Sequence, residues 1–264
     1  MGVKETVRPL IRRALEPFIG RYLPKKARST IEDFAFDRGR QVSADIEQKY
    51  GRSDLADIFA SNGNGVVHKW HHYFPLYERY FSRFRNRPVR FLEIGVSQGG
   101  SLQMWRTYFG DRAIIFGIDV DEDCRAFDGR AAQVRVGSQD DPAFLKSVVE
   151  EMGGLDLVLD DGSHHMAHIP VSLEVLFPLL SEDGVYMIED LHTAYWKHWG
   201  GGYSASKNFF KYVGEMVDDM HRWYHEKPMV HGGVSDWCRG IHIHDSMVVF
   251  DKGQPHRPTH SRVG

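Results

Sequence analysis

The chain has 264 residues, of which 42% are hydrophobic and 26% charged, and its formal net charge is −3. These values are ordinary for a globular protein with a full core, and they exclude a disordered or fibrous chain. The small net charge argues against a nucleic-acid partner, no apolar run approaches the roughly 20 residues of a membrane span, and no signal peptide is visible. Two cysteines, Cys124 and Cys238, give no disulfide framework, so we expect a cytoplasmic protein.

Residues 1–86 are predicted to form an N-terminal helical extension. Residues 1–50 show an amphipathic helical pattern broken by three prolines, and their first part is rich in lysine and arginine. Residues 53–86 are rich in aromatic side chains and end in a turn-like Asn-Arg-Pro sequence. We expect this extension to be an oligomer contact, which predicts a homo-oligomer, or a lid over substrate or cofactor. The basic face leaves an acidic partner or a membrane surface open as alternatives.

Strand and helix patterns alternate from residue 87 onward, which predicts a domain over 87–255 and a short tail over 256–264. Five strands are predicted by short apolar segments, at 89–94, 113–118, 133–136, 155–159 and 185–188. These segments are apolar throughout rather than alternating, as expected for a parallel sheet that is covered on both faces.

The connections between the predicted strands carry helix and turn signals. Asp141-Pro142 is a good N-cap and first-turn pair for a helix that ends at Gly153-Gly154. A second helix is predicted around 169–180, and the turn 182–184 then leads to the fifth strand. Residues 241–250 predict a closing hairpin. We therefore predict an α/β protein with a Rossmann-like, doubly wound, mostly parallel sheet and a C-terminal antiparallel hairpin.

The first predicted strand runs into a glycine-rich turn, FLEIGVSQGGS at 91–101. Its glycines do not fit the G-x-G-x-x-G pattern that lets backbone approach a pyrophosphate. Glu93 would repel a pyrophosphate, but it suits a ligand with an ammonium, a sulfonium and no phosphate. S-adenosylmethionine is such a ligand, and Asp119 is placed to accept hydrogen bonds from its ribose hydroxyls. The alternative is that both carboxylates only cap helices or lie in solvent.

Tyr203 and Lys207, in the sequence YSASK, have the spacing that short-chain dehydrogenases use for proton transfer to a carbonyl. Such an enzyme also needs a serine about a dozen residues before the tyrosine, where this chain has EDLH. The tyrosine also lies in an irregular segment instead of opening a long helix. We interpret YSASK as a coincidence, and a nicotinamide dehydrogenase stays an alternative.

Two pairs of carboxylates follow the fourth and fifth predicted strands, Asp160-Asp161 and Glu189-Asp190. If these strands are neighbours, about 5 Å apart, the carboxylates converge and their repulsion calls for a cation. All-oxygen ligands favour Mg²⁺ over zinc. His164, in the loop just beyond the fourth strand, is placed to act as a general base on a hydroxyl.

Two further readings of these residues stay open. His164, His168 and Glu189 form a possible facial triad of a metal-dependent oxygenase, although we interpret His165 and His168 as surface histidines. A non-catalytic assembly protein that keeps the fold is the other alternative, and the intact set of carboxylates and histidine argues against it.

Three segments together resemble a known family. They are FLEIGVSQGGSLQMW at 91–105, DDGSHHMAH at 160–168 and VLFPLLSEDGVYMIEDLHTAYW at 175–196. They are similar to the metal-dependent sugar O-methyltransferases of actinobacterial natural products, and they occur in the family's order. The likeness covers roughly residues 65–250.

The resemblance implies a cofactor, a metal and a role for each matched residue. It implies S-adenosylmethionine and Mg²⁺ as cofactors, with Mg²⁺ held by Asp161, Glu189 and Asp190. It makes His164 the catalytic base. The residues that it places around S-adenosylmethionine are Tyr73, Glu93, Gly95, Ser101, Asp119, Ser138, Gln139 and Asp161.

The chain also departs from the family pattern. The family's type member has a larger N-terminal domain, and residues 61–68 lack a Thr-Asp-Lys sequence expected near the cofactor, although His72 and Tyr73 match. We predict an S-adenosylmethionine- and Mg²⁺-dependent O-methyltransferase that methylates a sugar hydroxyl. The expected acceptor is a glycosylated natural product or a methylated oligosaccharide or polysaccharide.

Overall fold

The computed structural model describes residues 42–63, 65–227 and 232–264, and residues 43–264 form one compact unit. The predicted helical pattern before residue 42 lies outside the described residues. The described N-terminal part is helical, with α1 at Val42–Tyr50, α2 at Asp54–Ala60 and α3 at Phe74–Phe81. The Ser53 side chain caps α2 by accepting from the Ala56 N–H. The role of residues 1–86 as oligomer contact or lid stays a prediction.

Seven strands form one sheet in the order β3-β2-β1-β4-β5-β7-β6. Strands β1 to β5 run parallel, whereas β7 pairs antiparallel with both β5 and β6. This arrangement confirms the predicted mostly parallel sheet with a closing antiparallel hairpin. The strands are β1 Arg90–Ile94, β2 Ile114–Asp119, β3 Gln133–Val136, β4 Leu155–Asp160, β5 Leu180–Ile188, β6 Cys238–His244 and β7 Met247–Lys252.

Helices pack on the sheet through their apolar side chains. They are α4 Gly100–Phe109, α5 Pro142–Met152, α6 Ile169–Leu176 and α7 Phe209–Met220. An aromatic layer joins α3 and α4 to β1: Trp105 lies 5.3 Å from Tyr77 and 5.4 Å from Phe91, measured between ring centroids. This layer packs α3 and α4 against β1, and it positions Tyr77 of α3 for the site described below.

The predicted turn at 182–184 is a bulge inside a longer strand. Leu155 of β4 pairs with Leu180, but Leu157 pairs with Val185, so the intervening residues of β5 leave the ladder. Asp183 has a φ of 63° and is exposed, as a turn residue should be. The predicted turn is therefore present, but the strand begins before it because Leu180 already pairs with Leu155.

The predicted helix after residue 169 is shorter than expected, since α6 ends at Leu176 and a 3₁₀ turn, Phe177–Leu179, follows. Among the described residues, no helix combines the length and the apolar character that crossing a bilayer requires.

Candidate active site

The glycine turn after β1 lies directly against the end of β4. Gly95 has a φ of 96°, and a Cβ atom built there would lie 2.1 Å from the backbone oxygen of Asp161. Only glycine allows this approach, because any side chain would push the two strand ends apart. The turn after β1 lies where the strand order reverses, and it is thereby packed against the backbone of Asp161.

Asp119, at the end of β2, holds this turn in shape. Its Oδ2 accepts hydrogen bonds from the backbone N–H groups of Val96 and Ser97, both at 2.9 Å, and its Oδ1 accepts from Asp121 N–H at 3.0 Å. The predicted contact of Asp119 with a ribose stays a prediction. The observed role of the carboxylate is to organise the backbone that a ligand would meet.

Glu93 is fully buried and faces α4. Its Oε2 accepts from the Ser101 hydroxyl at 2.8 Å, and its Oε1 accepts from the Trp105 indole N–H at 2.9 Å. Burial raises the pKa of Glu93 to about 7, against the opposing effects of Lys69 and the two donors. The structure thus joins two residues of the predicted cofactor set, Glu93 and Ser101, to each other; their contact with a cofactor stays a prediction.

Gln139, in the loop after β3, connects that loop to the end of β4. Its buried amide donates to Asp160 Oδ1 at 3.2 Å, and its Oε1 accepts from the Ser163 N–H at 2.6 Å. Its predicted neighbour Ser138 donates to the exposed Asp140. Gln139 therefore fixes the backbone on which His164 lies, whereas half-buried Ser138 bonds a surface residue.

Asp160 points away from the predicted metal site. Its Oδ2 accepts from the hydroxyls of Ser172 at 2.7 Å and Tyr186 at 2.9 Å, in a fully buried network that includes Gln139. Burial raises the pKa of Asp160, and the two hydroxyl donors oppose that shift. We call these four residues the Asp160 network.

Asp161, Glu189 and Asp190 form the acidic cluster, at the carboxyl ends of the neighbouring strands β4 and β5. Two of its carboxylates share one ammonium: Lys69 Nζ lies 2.5 Å from Asp161 Oδ2 and 3.1 Å from each oxygen of Glu189. Glu189 Oε1 also accepts from the Tyr77 hydroxyl at 2.6 Å. The sequence predicted the three carboxylates together, and the structure places two of them, Asp161 and Glu189, around a lysine.

Asp190 closes the cluster from the loop after β5. It has a φ of 56°, and its Oδ1 accepts from the Tyr73 hydroxyl at 2.7 Å. Tyr73, predicted as a cofactor contact, is fully buried and lies at the acidic cluster. Its cofactor contact stays a prediction.

The electrostatics of the cluster follow from its burial. Burial and the charge of Asp161 raise the pKa of Glu189 well above its usual range, and Lys69 opposes this shift. Burial alone would lower the pKa of Lys69, but Asp161 and Glu189 outweigh it and raise that pKa. The direction of this shift favours the protonated ammonium of Lys69.

His164 lies beside two carboxylate oxygens of the cluster that do not contact Lys69. Its Nε2 lies 3.8 Å from Asp161 Oδ1 and 3.8 Å from Asp190 Oδ2, and its side chain is 22% exposed. Within the described part of the chain, Asp161, His164 and Asp190 form the group whose possible ligand atoms all lie within 4.8 Å of one another. The predicted base thus lies beside two of the three predicted metal ligands, while Glu189 lies with Lys69 and Tyr77.

Aromatic side chains lie beside Asp190. His192 Nδ1 lies 3.9 Å from Asp190 Oδ1, and its ring lies 5.6 Å from Trp70 and 4.8 Å from Trp196. The Nε2 atom of half-buried His72 makes no hydrogen bond with the described residues. Such half-exposed rings beside a polar site suit a ligand with both apolar and polar faces.

Neither alternative constellation is assembled. Tyr203 is 87% exposed in the loop before α7. His168, the second histidine of the possible oxygenase triad, bonds Ser163 Oγ at 2.9 Å and lies 3.6 Å from Asp140, while Glu189 is held by Lys69. The dehydrogenase and oxygenase readings have no structural support.

Lys69 and Tyr77 are the site residues that sequence reasoning missed. A signal for Lys69 was present, because it is the one Lys, Arg, Asp or Glu within the aromatic-rich segment 65–77 and such a charge is buried only when it is paired. A signal for Tyr77 was its position four residues after Tyr73. That spacing places both hydroxyls on one side of a helical segment.

The strand order and the site define a class I methyltransferase fold. The MycE methyltransferase from the mycinamycin biosynthetic pathway, solved in complex with Mg, SAH and mycinamycin VI, superposes with a TM-score of 0.68 at 32% identity, over 76% of this chain and 54% of that one. No protein-family model matches the chain.

The curated homologues of this chain are sugar O-methyltransferases, which confirms the resemblance predicted from its motifs. It is 37% identical over 219 residues to the 8-demethyl-8-(2-methoxy-alpha-L-rhamnosyl)-tetracenomycin-C 3′-O-methyltransferase of Streptomyces olivaceus, across 76% of this chain and 54% of the relative. It is 34% identical over 214 residues to the mycinamicin VI 2″-O-methyltransferase of Micromonospora griseorubida, across 76% and 52%. The chain spans about half the length of these relatives.

Proposed function

We propose that the chain is an S-adenosylmethionine- and Mg²⁺-dependent O-methyltransferase that methylates a hydroxyl of a sugar. The observation that carries this proposal is the position of Asp161. Its backbone packs against Gly95 in the glycine turn, and its carboxylate belongs to the acidic cluster. A methyl donor at the turn and a hydroxyl at the cluster would therefore be neighbours, which is the proximity that transfer requires.

The acidic cluster has the donor chemistry that Mg²⁺ needs. Asp161 Oδ1 and Asp190 Oδ2 are carboxylate oxygens that face His164 across a common space. The carboxylates of the cluster carry more negative charge than the ammonium of Lys69 neutralises, which favours a divalent cation there. We propose that Asp161 and Asp190 would hold Mg²⁺ directly; ligation by Glu189 stays a prediction, because both of its oxygens accept from Lys69. When bound, Mg²⁺ supplies Lewis acidity that makes a sugar hydroxyl more acidic.

His164 would accept the proton of the acceptor hydroxyl at Nε2. The backbone of His164 has a φ of 53°, and its carbonyl accepts a hydrogen bond from the Thr193 hydroxyl at 3.2 Å, which helps to fix the ring. As the hydroxyl oxygen forms a bond to the methyl carbon, the carbon–sulfur bond breaks and its electrons return to sulfur. The products are a methyl ether, S-adenosylhomocysteine and a protonated imidazole.

The remaining predicted cofactor contacts are proposed to act through the glycine turn. Gly95 and Asp119 shape the backbone at its mouth, whereas Glu93 and Ser101 lie behind it and hold α4 against β1. Ser138, Gln139 and Tyr73 complete the proposed set. The homologues support the acceptor class, since their names give a rhamnosyl tetracenomycin and mycinamicin VI as sugar-bearing substrates.

We further propose that the protein acts as a homo-oligomer in the cytoplasm and that residues 1–86 contribute an oligomer contact or a lid. Lys69, Tyr73 and Tyr77 all come from this region and contact the acidic cluster, which supports a role for its end at the site. Light scattering after gel filtration tests the oligomer, and a monomeric mass would contradict it.

The function is tested by incubating the protein with methyl-labelled S-adenosylmethionine and a panel of glycosides that includes methyl α-L-rhamnoside and rhamnosylated aromatic polyketides. We expect S-adenosylhomocysteine to bind in calorimetry, NADH not to bind, and a labelled sugar methyl ether to form with Mg²⁺ but not with EDTA. Binding of NADH in place of S-adenosylhomocysteine, or methyl transfer undiminished by EDTA, would overturn the proposal.

A further inference from the structure

Lys69 is a buried cation at the site. Its side chain is 2% exposed, and its ammonium lies between a carboxylate that follows β4 and one that follows β5. The contacts are at 2.5 Å to Asp161 Oδ2 and 3.1 Å to both oxygens of Glu189. A single ammonium thus bridges the two strand ends, which is the geometry of a bridging cation.

The contacts of Lys69 divide the oxygens of the cluster into two sets. One set, Asp161 Oδ2 with both oxygens of Glu189, is taken by the ammonium. The other set, Asp161 Oδ1 and Asp190 Oδ2, faces His164. Asp161 belongs to both sets, so its two oxygens point towards two different cation positions.

We infer that Lys69 is a positioning residue that acts as the built-in second cation of the acidic cluster and limits it to one divalent ion. The inference rests on the proposed function, in which Mg²⁺ is held by the second set of oxygens. Two-metal sites use a carboxylate that bridges ions roughly 3.5–4 Å apart. Here Asp161 is the bridging carboxylate, and the ammonium of Lys69 stands at the position of one of the two ions.

This role makes a specific prediction for the variant Lys69→Met. Methionine keeps an unbranched apolar stem of similar length but removes the charge, so three carboxylates remain without an internal cation. Buried carboxylates without a counter-charge are strongly unfavourable, and a divalent ion at the vacated position relieves this. Lys69→Met should therefore bind two divalent ions where the wild type binds one.

Lys252 provides a matched control. It is also a buried lysine, with 6% of its surface exposed, but its ammonium donates to the backbone carbonyls of Phe177 at 3.2 Å and Pro178 at 2.7 Å. No carboxylate is among these acceptors. Lys252→Met therefore tests the general cost of removing a buried ammonium without altering the acidic cluster.

The experiment counts bound Mn²⁺ per chain by electron paramagnetic resonance titration, with saturating S-adenosylhomocysteine present. We expect one ion for the wild type and for Lys252→Met, and two for Lys69→Met. A count of one or none for Lys69→Met beside one for the wild type would refute the inference alone. A wild type that binds no Mn²⁺ would refute the proposed function, and the inference with it.

A second measurement covers the case in which metal-free Lys69→Met does not fold. Circular dichroism with and without Mn²⁺ should then show that the ion restores the wild-type spectrum, since it replaces the missing charge. A variant that stays unfolded at saturating Mn²⁺ would overturn the inference.

Discussion

Asp160 and Asp161 are adjacent in sequence, yet they belong to two regions with opposite properties. In the Asp160 network, one buried carboxylate is surrounded by neutral donors from Ser172, Tyr186 and Gln139. In the acidic cluster, Asp161 meets other carboxylates, a lysine and a histidine. Successive residues at a strand end face opposite sides of the sheet, which explains how one dipeptide serves both.

The difference shows what separates a structural carboxylate from a reactive one. The Asp160 network satisfies its charge with hydroxyl and amide groups, and it holds β4, β5 and α6 together in the interior. The acidic cluster has more negative charge than Lys69 neutralises, and two of its oxygens face a common space. Changes in the first region should therefore alter stability, and changes in the second should alter binding and turnover.

The largest effect is expected from removing the imidazole of His164. His164→Asn suits the backbone, because asparagine tolerates the observed φ of 53° better than alanine does. We expect turnover to fall by roughly 10²–10⁴-fold, the usual loss for a general base, with unchanged melting temperature and Mg²⁺ affinity. Residual activity should rise with pH, because hydroxide replaces the imidazole as proton acceptor.

His165→Asn is the matched control for this variant and should keep near-normal turnover. If His164→Asn itself keeps near-normal turnover at neutral pH, another residue is the base. His192, 3.9 Å from Asp190, would then be the next candidate.

A second test uses the buried carboxylate of Glu93, whose pKa is raised from its usual 4.5 to about 7. Because the folded state holds this proton more tightly, the contribution to stability is present at low pH and is lost as pH rises through 7. Glu93→Gln should abolish this dependence, which amounts to about 3 kcal/mol between pH 4.5 and 7. Urea unfolding across that range measures it.

The control for Glu93→Gln is Glu150→Gln, at an exposed position on α5. It should leave the pH dependence of the free energy of unfolding as in the wild type. Parallel pH curves for wild type and Glu93→Gln would contradict the assignment.

Asp160→Asn tests the structural role of the Asp160 network. It weakens the acceptor of the Ser172 and Tyr186 hydroxyls, so we expect a loss of about 1–3 kcal/mol in the free energy of unfolding. The exposed Asp111→Asn should cost less than about 0.5 kcal/mol. A loss of Mg²⁺ affinity without loss of stability in Asp160→Asn would reverse the roles of the two regions.

The smallest effect is expected at YSASK. Tyr203→Phe combined with Lys207→Met should leave turnover and melting temperature close to wild type, because Tyr203 is 87% exposed and the pair contacts neither region. Turnover abolished with metal and cofactor binding intact would show that this pair takes part in the reaction.

Much of the fold follows from local signals in the sequence. Apolar segments followed by glycine, aspartate or glutamate marked the parallel strands. The Asp141 cap was correct, since its side chain accepts from the Ala143 and Phe144 N–H groups. The bulge in β5 was missed because polar turn residues normally end a strand. Only the pairing of Leu180 with Leu155, a long-range contact, shows that the strand starts earlier.

The site was predictable in part, for a similar reason. Carboxylates that follow neighbouring parallel strands lie at the same edge of the sheet, so the acidic cluster could be predicted once β4 and β5 are taken as neighbours. Lys69 lies 92 residues before Asp161 and 120 before Glu189, and no spacing rule links such distant positions. Glu93 and Asp119 were assigned to a ligand from their location, but their protein partners depend on packing that sequence does not display.

The most direct test of the central claim is a calorimetric titration of Mg²⁺ into three proteins with S-adenosylhomocysteine present: wild type, Asp161→Asn and Asp160→Asn. The two variants remove the same charge from adjacent residues. We expect Asp161→Asn to lose at least about tenfold in Mg²⁺ affinity, through loss of one ligand charge, and Asp160→Asn to bind as the wild type does. Equal affinities in all three proteins, or a loss confined to Asp160→Asn, would contradict the account.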